Sequence, residues 1–274
     1  MTTSRTIDGL TVCVTGASSG IGRSIARHLG SLGAHVFLMG RTAEPMEQTA
    51  EEIAAAGGRA DVSVFDVTDS AALQEWISGA ADATGRLDVM VNNAGFGDVG
   101  STIADGDVEM WRSMLEVNVL ALAVGCQAAI RTMRDGGGEG NIINISSVAA
   151  LRRESGFYGA TKHAVNCINS SLRLELQEEP IRVTSILPGV FATNFTRNVD
   201  RSLVEGMAAM AGVEEIEFDD EGRVPEDQID DLQKGMKAMV GNVEYIAQAV
   251  EYVISQPIEL NIEELVIRPQ KTMF

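Results

Sequence analysis

Residues 156–162 read Gly-Phe-Tyr-Gly-Ala-Thr-Lys, which places the phenol of Tyr158 and the amine of Lys162 four residues apart. On a helix that spacing makes them neighbours on one face. A free tyrosine has a pKa of about 10, too high for an efficient base at neutral pH. An ammonium one turn away is expected to stabilise the phenolate and lower that value toward the working range. The pair could therefore move a proton. Helical spacing alone brings any two such residues together, so the surrounding elements must decide between chemistry and chance.

A second group of residues could hold an anion. The apolar run LTVCVT (10–15) passes directly into TGASSGIG (15–22) and then into the helical pattern GRSIARHL. Gly16, Gly20 and Gly22 let the chain turn tightly, approach a pyrophosphate and pack the helix on the strand, while free amides at the helix start face the anion. The spacing is G-x-x-x-G-x-G rather than G-x-G-x-x-G, and the order strand, turn, helix is the one a dinucleotide site requires. A dinucleotide fold that prefers NAD would place an acidic residue on the ribose about twenty residues later. This chain instead has Gly40-Arg41-Thr42 after its second apolar run. A guanidinium there can grip a 2′-phosphate in a forked contact, which favours NADP while leaving NAD open. The alternative is that Arg41 points into solvent or stacks on adenine without discriminating.

The elements that must position these groups alternate regularly. Strands are expected at 10–15, 35–40, 60–65, 87–92, 141–146, 181–187 and 263–268, with amphipathic helices such as GRSIARHLGSLG, EPMEQTAEEIAAAG, DSAALQEWISGAADATG and EYIAQAVEYVISQ between them. Nearly continuous apolar strands alternating with helices imply an α/β fold, a three-layer doubly wound parallel sheet of about seven strands, Rossmann-like, with ligands gathering beyond the carboxyl ends of the strands. At 274 residues without a Pro/Ser-rich linker, the chain (1–274) is expected to be one domain. Residues 194–240 break the rhythm. Their charge and their methionines, Met207, Met210, Met236 and Met239, suggest a substrate lid inserted in the domain.

The net charge of −18 would repel phosphate backbones, so nucleic-acid binding is not expected. Cys13, Cys126 and Cys167 lie far apart, which suggests buried free thiols and no metal site. No uninterrupted apolar run reaches the roughly 18 residues that cross a bilayer, and MTTSRTIDG has no apolar leader core, so a cytoplasmic protein without membrane partners is expected.

Taken together, these motifs closely resemble the short-chain dehydrogenase/reductase family in its compact one-domain branch, in register over nearly the whole chain. TGASSGIG resembles that family's cofactor loop, implying contacts from Gly16, Ser18, Ser19 and Ile21. Asp66-Val67 resembles its adenine contact, and Asn93-Ala94-Gly95 closes the fourth strand as in the family. Asn118, Ser147, Tyr158 and Lys162 resemble its catalytic tetrad, and Pro188-Gly189 with Thr193 its nicotinamide segment. The resemblance implies a reversible oxidoreductase acting on a small-molecule alcohol or carbonyl, with Lys162 also holding the nicotinamide ribose and Asn118 a relay water. It further implies a homotetramer or homodimer paired through the helices that carry Asn118 and Tyr158. Neighbouring strand residues point to opposite faces, so only one of Ser146 and Ser147 can enter the site, and the family's habit selects Ser147. Ser147 precedes Tyr158 by eleven residues, a shorter loop than is usual there. Arg152 and Arg153 on that loop are either solvated or contacts for an acidic substrate. An enzyme using NAD and a non-catalytic cofactor-sensing or scaffold protein are the alternative readings.

Overall fold

The computed structural model of the protein describes residues 5–98, 102–191, 193, 205, 209, 216, 217, 228 and 240–271. The segment read as a lid, with its four methionines, therefore lies almost entirely outside the described residues. Seven strands form one parallel sheet: β1 (Thr11–Thr15), β2 (His35–Gly40), β3 (Arg59–Val64), β4 (Val89–Asn92), β5 (Gly140–Ile145), β6 (Ile181–Pro188) and β7 (Glu264–Ile267). Their order is β3-β2-β1-β4-β5-β6-β7, so the winding reverses between β1 and β4. Each strand lies within two residues of its expected bounds. Strands β1, β4, β5 and β6 are buried along their whole length, which explains their continuous apolar runs.

Helices cover both faces. Helices α1 (Gly20–Ser31), α2 (Ala43–Ala55) and α7 (Glu244–Ile254) pack on one face through Ile25, Leu29, Met46, Ile53, Ile246 and Val250. The opposite face carries α3 (Ser70–Thr84), α5 (Leu122–Asp135) and α6 (Gly156–Glu175). Sequence chemistry sets their ends. The Asp69 carboxylate accepts from the amides of Ala71 and Ala72 at the start of α3, and Gly85 closes that helix at φ 92°. Helix α4 (Val108–Leu115) begins on Asp107, whose side chain accepts from the Glu109 amide.

Helix α4 runs through a π-helical turn, Glu116–Ala121, into α5. This stretch, Val108–Asp135, contains an 18-residue window of mean hydropathy 1.6, so it is apolar enough by composition to cross a membrane despite its interrupting charges. Half of that window is buried, and Ala121, Leu122, Cys126, Ala129 and Met133 pack into the core with α3 and the sheet. Cys13 and Cys126 are buried as expected. Cys167 is exposed on the outer side of α6, which corrects the expectation for that thiol.

Candidate active site

The glycine loop and the end of β4 are stitched together at the reversal of the sheet. Gly16 (φ 65°) and Gly20 (φ 55°) occupy the left-handed region that glycine tolerates. Thr15 Oγ1 accepts from the amides of Asn93 and Ala94, both at 3.0 Å. Asn93 Nδ2 donates to the carbonyls of Thr15 (2.9 Å) and Gly16 (3.1 Å). Asn93 thus braces the loop with its side chain, a task its motif position did not reveal. Ser19 precedes α1 in extended conformation without a side-chain cap, so the first-turn amides stay available to an anion. Thr193 lies over this helix start, its methyl 3.1 Å from where a Cβ on Gly20 would sit. Ser18 and Ile21 are partly exposed on the same turn.

Arg41 and Asp66 come together at the ends of β2 and β3. Arg41 is exposed, and Ser18 Cβ lies 3.6 Å from a Cβ built on Gly40 beside it. The Asp66 carboxylate accepts from the Thr68 amide (2.9 Å) and hydroxyl (2.7 Å). Partial burial pushes its pKa up, but those two bonds and the Arg41 charge outweigh burial and hold it below the ordinary carboxylate value. Val67 turns into the core. Gly189 is fixed after β6 by donating its amide to the Ile267 carbonyl at 2.7 Å, and Pro188 ends that strand.

Beyond the carboxyl ends of β4 and β5, the four tetrad candidates converge. The Ser147 hydroxyl accepts from the Ala149 amide at 3.1 Å and lies close enough to Tyr158 to act on the phenol's proton affinity. Lys162 Nζ donates to the Ile145 carbonyl at 2.9 Å and lies 5.9 Å from the centre of the Tyr158 ring. Asn118, fully buried in the π-helical turn, accepts from the Phe96 amide (3.0 Å) and donates to the Phe96 carbonyl (2.8 Å) and to Thr161 Oγ1 (3.1 Å). Thr161 in turn donates to the Tyr158 carbonyl at 2.7 Å. Gly95 faces this group, its missing Cβ leaving room 3.1 Å from Asn118 Oδ1 and 3.5 Å from Lys162 Nζ. Ser146 turns away from Tyr158 and donates to Asn166 Oδ1 at 2.7 Å, so the two serines diverge. Thr15 and Thr161 lie within TGASSGIG and GFYGATK and Asn166 outside any motif, but none of the three had a role marked in the sequence, since threonine or asparagine at a single position carries no signal of its own. Arg152 and Arg153 are exposed on the loop before α6, whose turn is held by Ser155 Oγ donating to the carbonyls of Ala149 and Arg152.

Burial governs the proton affinities here. It pushes the Tyr158 phenol above its ordinary value, with the Ser147 bond acting in the opposite direction. The lowering expected from Lys162 therefore does not arise in the protein alone, because desolvation of the phenolate outweighs an ammonium at this distance. Burial also pushes Lys162 down to about 8. An unfolded lysine titrates near pH ~10.4, so between these values the unfolded chain holds a proton that the folded protein has released. The site's penalty is complete below pH 8 and is relieved as pH rises through that window. Cys13, Cys126 and Tyr158 have pKa values raised by burial and act in the reverse sense, losing stability as pH rises. The clean measurement is the urea-unfolding free energy of wild type minus that of Lys162→Met. This difference should shift in favour of wild type by on the order of 2 kcal/mol from pH 7.5 to 10. A pH-independent difference would contradict the buried ammonium.

Residues 10–203 match the family model described as short chain dehydrogenase. An uncharacterised oxidoreductase of Staphylococcus epidermidis is 32% identical over 258 residues, covering 93% of this chain and 95% of that relative. Among solved structures, a metagenomic short-chain oxidoreductase in complex with NADP is similar at TM-score 0.73 and 30% identity, over 97% of this chain and 99% of that one. The closed form of a serine dehydrogenase complexed with NADP+ is similar at TM-score 0.76 and 29% identity, over 94% of each chain. With the loop, the sheet reversal and the tetrad positions arranged as described, this chain belongs to the short-chain dehydrogenase/reductase family of oxidoreductases.

Proposed function

We propose that the protein is an NADP-dependent enzyme that interconverts a secondary alcohol and a ketone, with Tyr158 as the acid/base. The observation that carries this reading is the grouping of Ser147, Tyr158, Lys162 and Asn118 at the carboxyl ends of the strands, with Lys162 Nζ 5.9 Å from the Tyr158 ring centre, beside a glycine loop whose helix start has no side-chain cap. The cradle fits a dinucleotide. Its floor is backbone at Gly16 and Gly20, and a Cβ at Gly22 would strike the Gly16 carbonyl. Ser18, Ser19 and Ile21 would hold the pyrophosphate, Asp66 and Val67 the adenine, and Ala94, Gly95, Pro188, Gly189 and Thr193 the nicotinamide half. When bound, NADPH supplies the hydride that reaches the carbonyl carbon.

In the reducing direction, the Tyr158 hydroxyl gives its proton to the substrate oxygen as negative charge develops there. Ser147 donates a hydrogen bond to the same oxygen and steadies that charge. The Lys162 ammonium, adjacent to the ring, favours the phenolate left behind and would hold the nicotinamide ribose. Asn118, tied to Phe96 and Thr161, supports the relay that returns a proton to Lys162. The test is purified protein with NADPH and a panel of ketones. Tight binding of NADP(H) with no turnover of any ketone or alcohol would favour the cofactor-sensing reading.

Cofactor choice is read from Arg41. A charge-assisted contact to a 2′-phosphate contributes about 1.5–3 kcal/mol. Arg41→Ala should therefore raise the NADPH dissociation constant roughly 10- to 100-fold, with the NADH constant nearly unchanged. Equal effects on both, or none, would favour the NAD-dependent alternative. NADP in two similar structures supports the first outcome. We further propose one functional domain spanning the chain, a cytoplasmic location and a homotetramer or homodimer paired through α4–α5 and α6. Exposed Val108, Leu115, Leu120 and Leu174 on those helices support the pairing.

A further inference from the structure

The side of α6 that faces β5 is unusual in being polar where a core-facing helix stripe is ordinarily apolar. Tyr158, Lys162, Asn166 and Asn169 follow one another at helical intervals, and each is tied to one of four consecutive residues. Asn144 Nδ2 donates to Asn169 Oδ1 at 2.5 Å, the Ile145 carbonyl accepts from Lys162 at 2.9 Å, Ser146 Oγ donates to Asn166 Oδ1 at 2.7 Å, and Ser147, its Oγ accepting from the Ala149 amide at 3.1 Å, lies beside Tyr158. The Asn144 end is secured several times over, since Asn92 Nδ2 donates to Asn144 Oδ1 (2.8 Å) and Asn169 Nδ2 to Ser185 Oγ (2.6 Å).

The Ser146–Ser147 pair is less constrained. Two serines in succession are chemically degenerate, and because their side chains leave the chain on opposite sides, the direction given to one fixes the direction of the other. The Ser146 amide donates to the Ile186 carbonyl at 2.8 Å, which sets the strand's lateral position rather than its roll. Asn166 breaks the degeneracy, because it accepts from Ser146 and from a point two turns along α6 from Tyr158. Adjacent side chains of an extended chain diverge, and Ser147 has φ −166° and ψ 156°. Holding Ser146 toward Asn166 thus sends Ser147 toward Tyr158.

We infer that Asn166 is a positioning residue that aims the Ser147 hydroxyl at Tyr158 by holding Ser146 against α6. As a device for proton transfer, this rests on the reading of Tyr158 as the acid/base; as a geometry, it can be tested without it. In crystals soaked with NADP+, the Ser147 Oγ to Tyr158 Oη separation in Asn166→Ala should be longer than in the wild type and outside hydrogen-bonding range, about 3.5 Å. Asn166→Asp, which keeps an acceptor for Ser146, should return it to the wild-type separation and so separates loss of the tie from loss of the fold. A separation in Asn166→Ala equal to that of the wild type overturns the inference.

A solution readout follows the phenol itself. The chain has three tyrosines, so Tyr245→Phe with Tyr252→Phe leaves Tyr158 alone to report by tyrosinate absorbance. With NADP+ bound, adding Asn166→Ala should move the titration midpoint up by about 1 pH unit, since a bond that favours the ionised phenol is lost. In a Ser147→Ala background, Asn166→Ala should move it no further, because both substitutions remove the same contact. A midpoint that does not move, or a shift that persists without Ser147, is evidence against Asn166. If Tyr158 instead stays protonated to the alkaline limit with NADP+ bound, the acid/base reading fails, and the crystal separation still decides on Asn166.

Discussion

Tyr158→Phe should reduce NADPH-dependent ketone turnover by roughly 10³-fold, the scale of a positioned general acid, while the NADPH dissociation constant changes only a few-fold. Tyr158 is 9% exposed, so phenylalanine fills the same space without a new cavity. The backbone at this position is held independently, by Thr161 Oγ1 donating to the Tyr158 carbonyl at 2.7 Å, and Lys162 keeps its bond to the Ile145 carbonyl. What disappears is the hydroxyl alone, and with it the proposed proton donor to the substrate oxygen. Ser147 is partly exposed and keeps the Ala149 amide as a partner, so no polar group is left buried without a bond and thermal stability should change little. Steady-state rates, cofactor fluorescence titration and a melting curve together separate the outcomes. Turnover within tenfold of wild type would remove Tyr158 from the reaction and with it the proposed mechanism.

The reason the fold was readable and parts of the site were not lies in what each residue touches. Strands β1, β4, β5 and β6 are buried on both faces, so their continuous apolar runs announce themselves. Helices α1, α2, α3 and α7 each bury one stripe, which periodicity detects. Helix α6 is different. Beside the apolar Val165, Ile168 and Leu172 that pack on the core, it turns Tyr158, Lys162, Asn166 and Asn169 toward β5, and no hydrophobic pattern marks that polar stripe. The π-helical turn at Asn118 has no residue signature, since its widened backbone is stabilised by contacts with Phe96 and Thr161 that are distant in sequence. Asn93 was legible as part of a cofactor motif but not as the brace of the glycine loop, for the same reason.

The electrostatics of the opening pair show the limit most clearly. Spacing places Lys162 beside Tyr158, and the structure agrees. Spacing says nothing about desolvation, and both groups are buried. Burial pushes the phenol up and the ammonium down, toward two neutral groups, which opposes the ionised pair that proximity alone suggests. A cationic nicotinamide ring is the charge the proposed mechanism then requires to bring Tyr158 back into a useful range.

The largest effect expected away from the tetrad is at Gly22. Helix propensity alone favours Gly22→Ala by about 1 kcal/mol, and at Gly79, on the exposed side of α3 with nothing within 4 Å of a new Cβ, that stabilisation should be realised in full. At Gly22 the new Cβ falls well under 3.0 Å from both the Gly16 carbonyl oxygen and Asn93 Nδ2. Neither can yield cheaply. Gly16 is already in the left-handed region, and the Asn93 amide is engaged with Thr15 and Gly16 while its backbone is held by Thr15 Oγ1. Overpacking of this kind costs about 1–3 kcal/mol, and displacing Asn93 forfeits hydrogen bonds at about 1 kcal/mol each, so a net destabilisation of about 2–4 kcal/mol is expected. Moving α1 off β1 would also withdraw the helix-start amides from the pyrophosphate position proposed above, which should weaken NADPH binding by roughly 100-fold or more, each 1.4 kcal/mol being tenfold. Urea unfolding and NADPH titration of the two alanine variants check both signs. If Gly22→Ala behaved like Gly79→Ala, the close approach of helix, loop and Asn93 would not be what shapes the cofactor cradle.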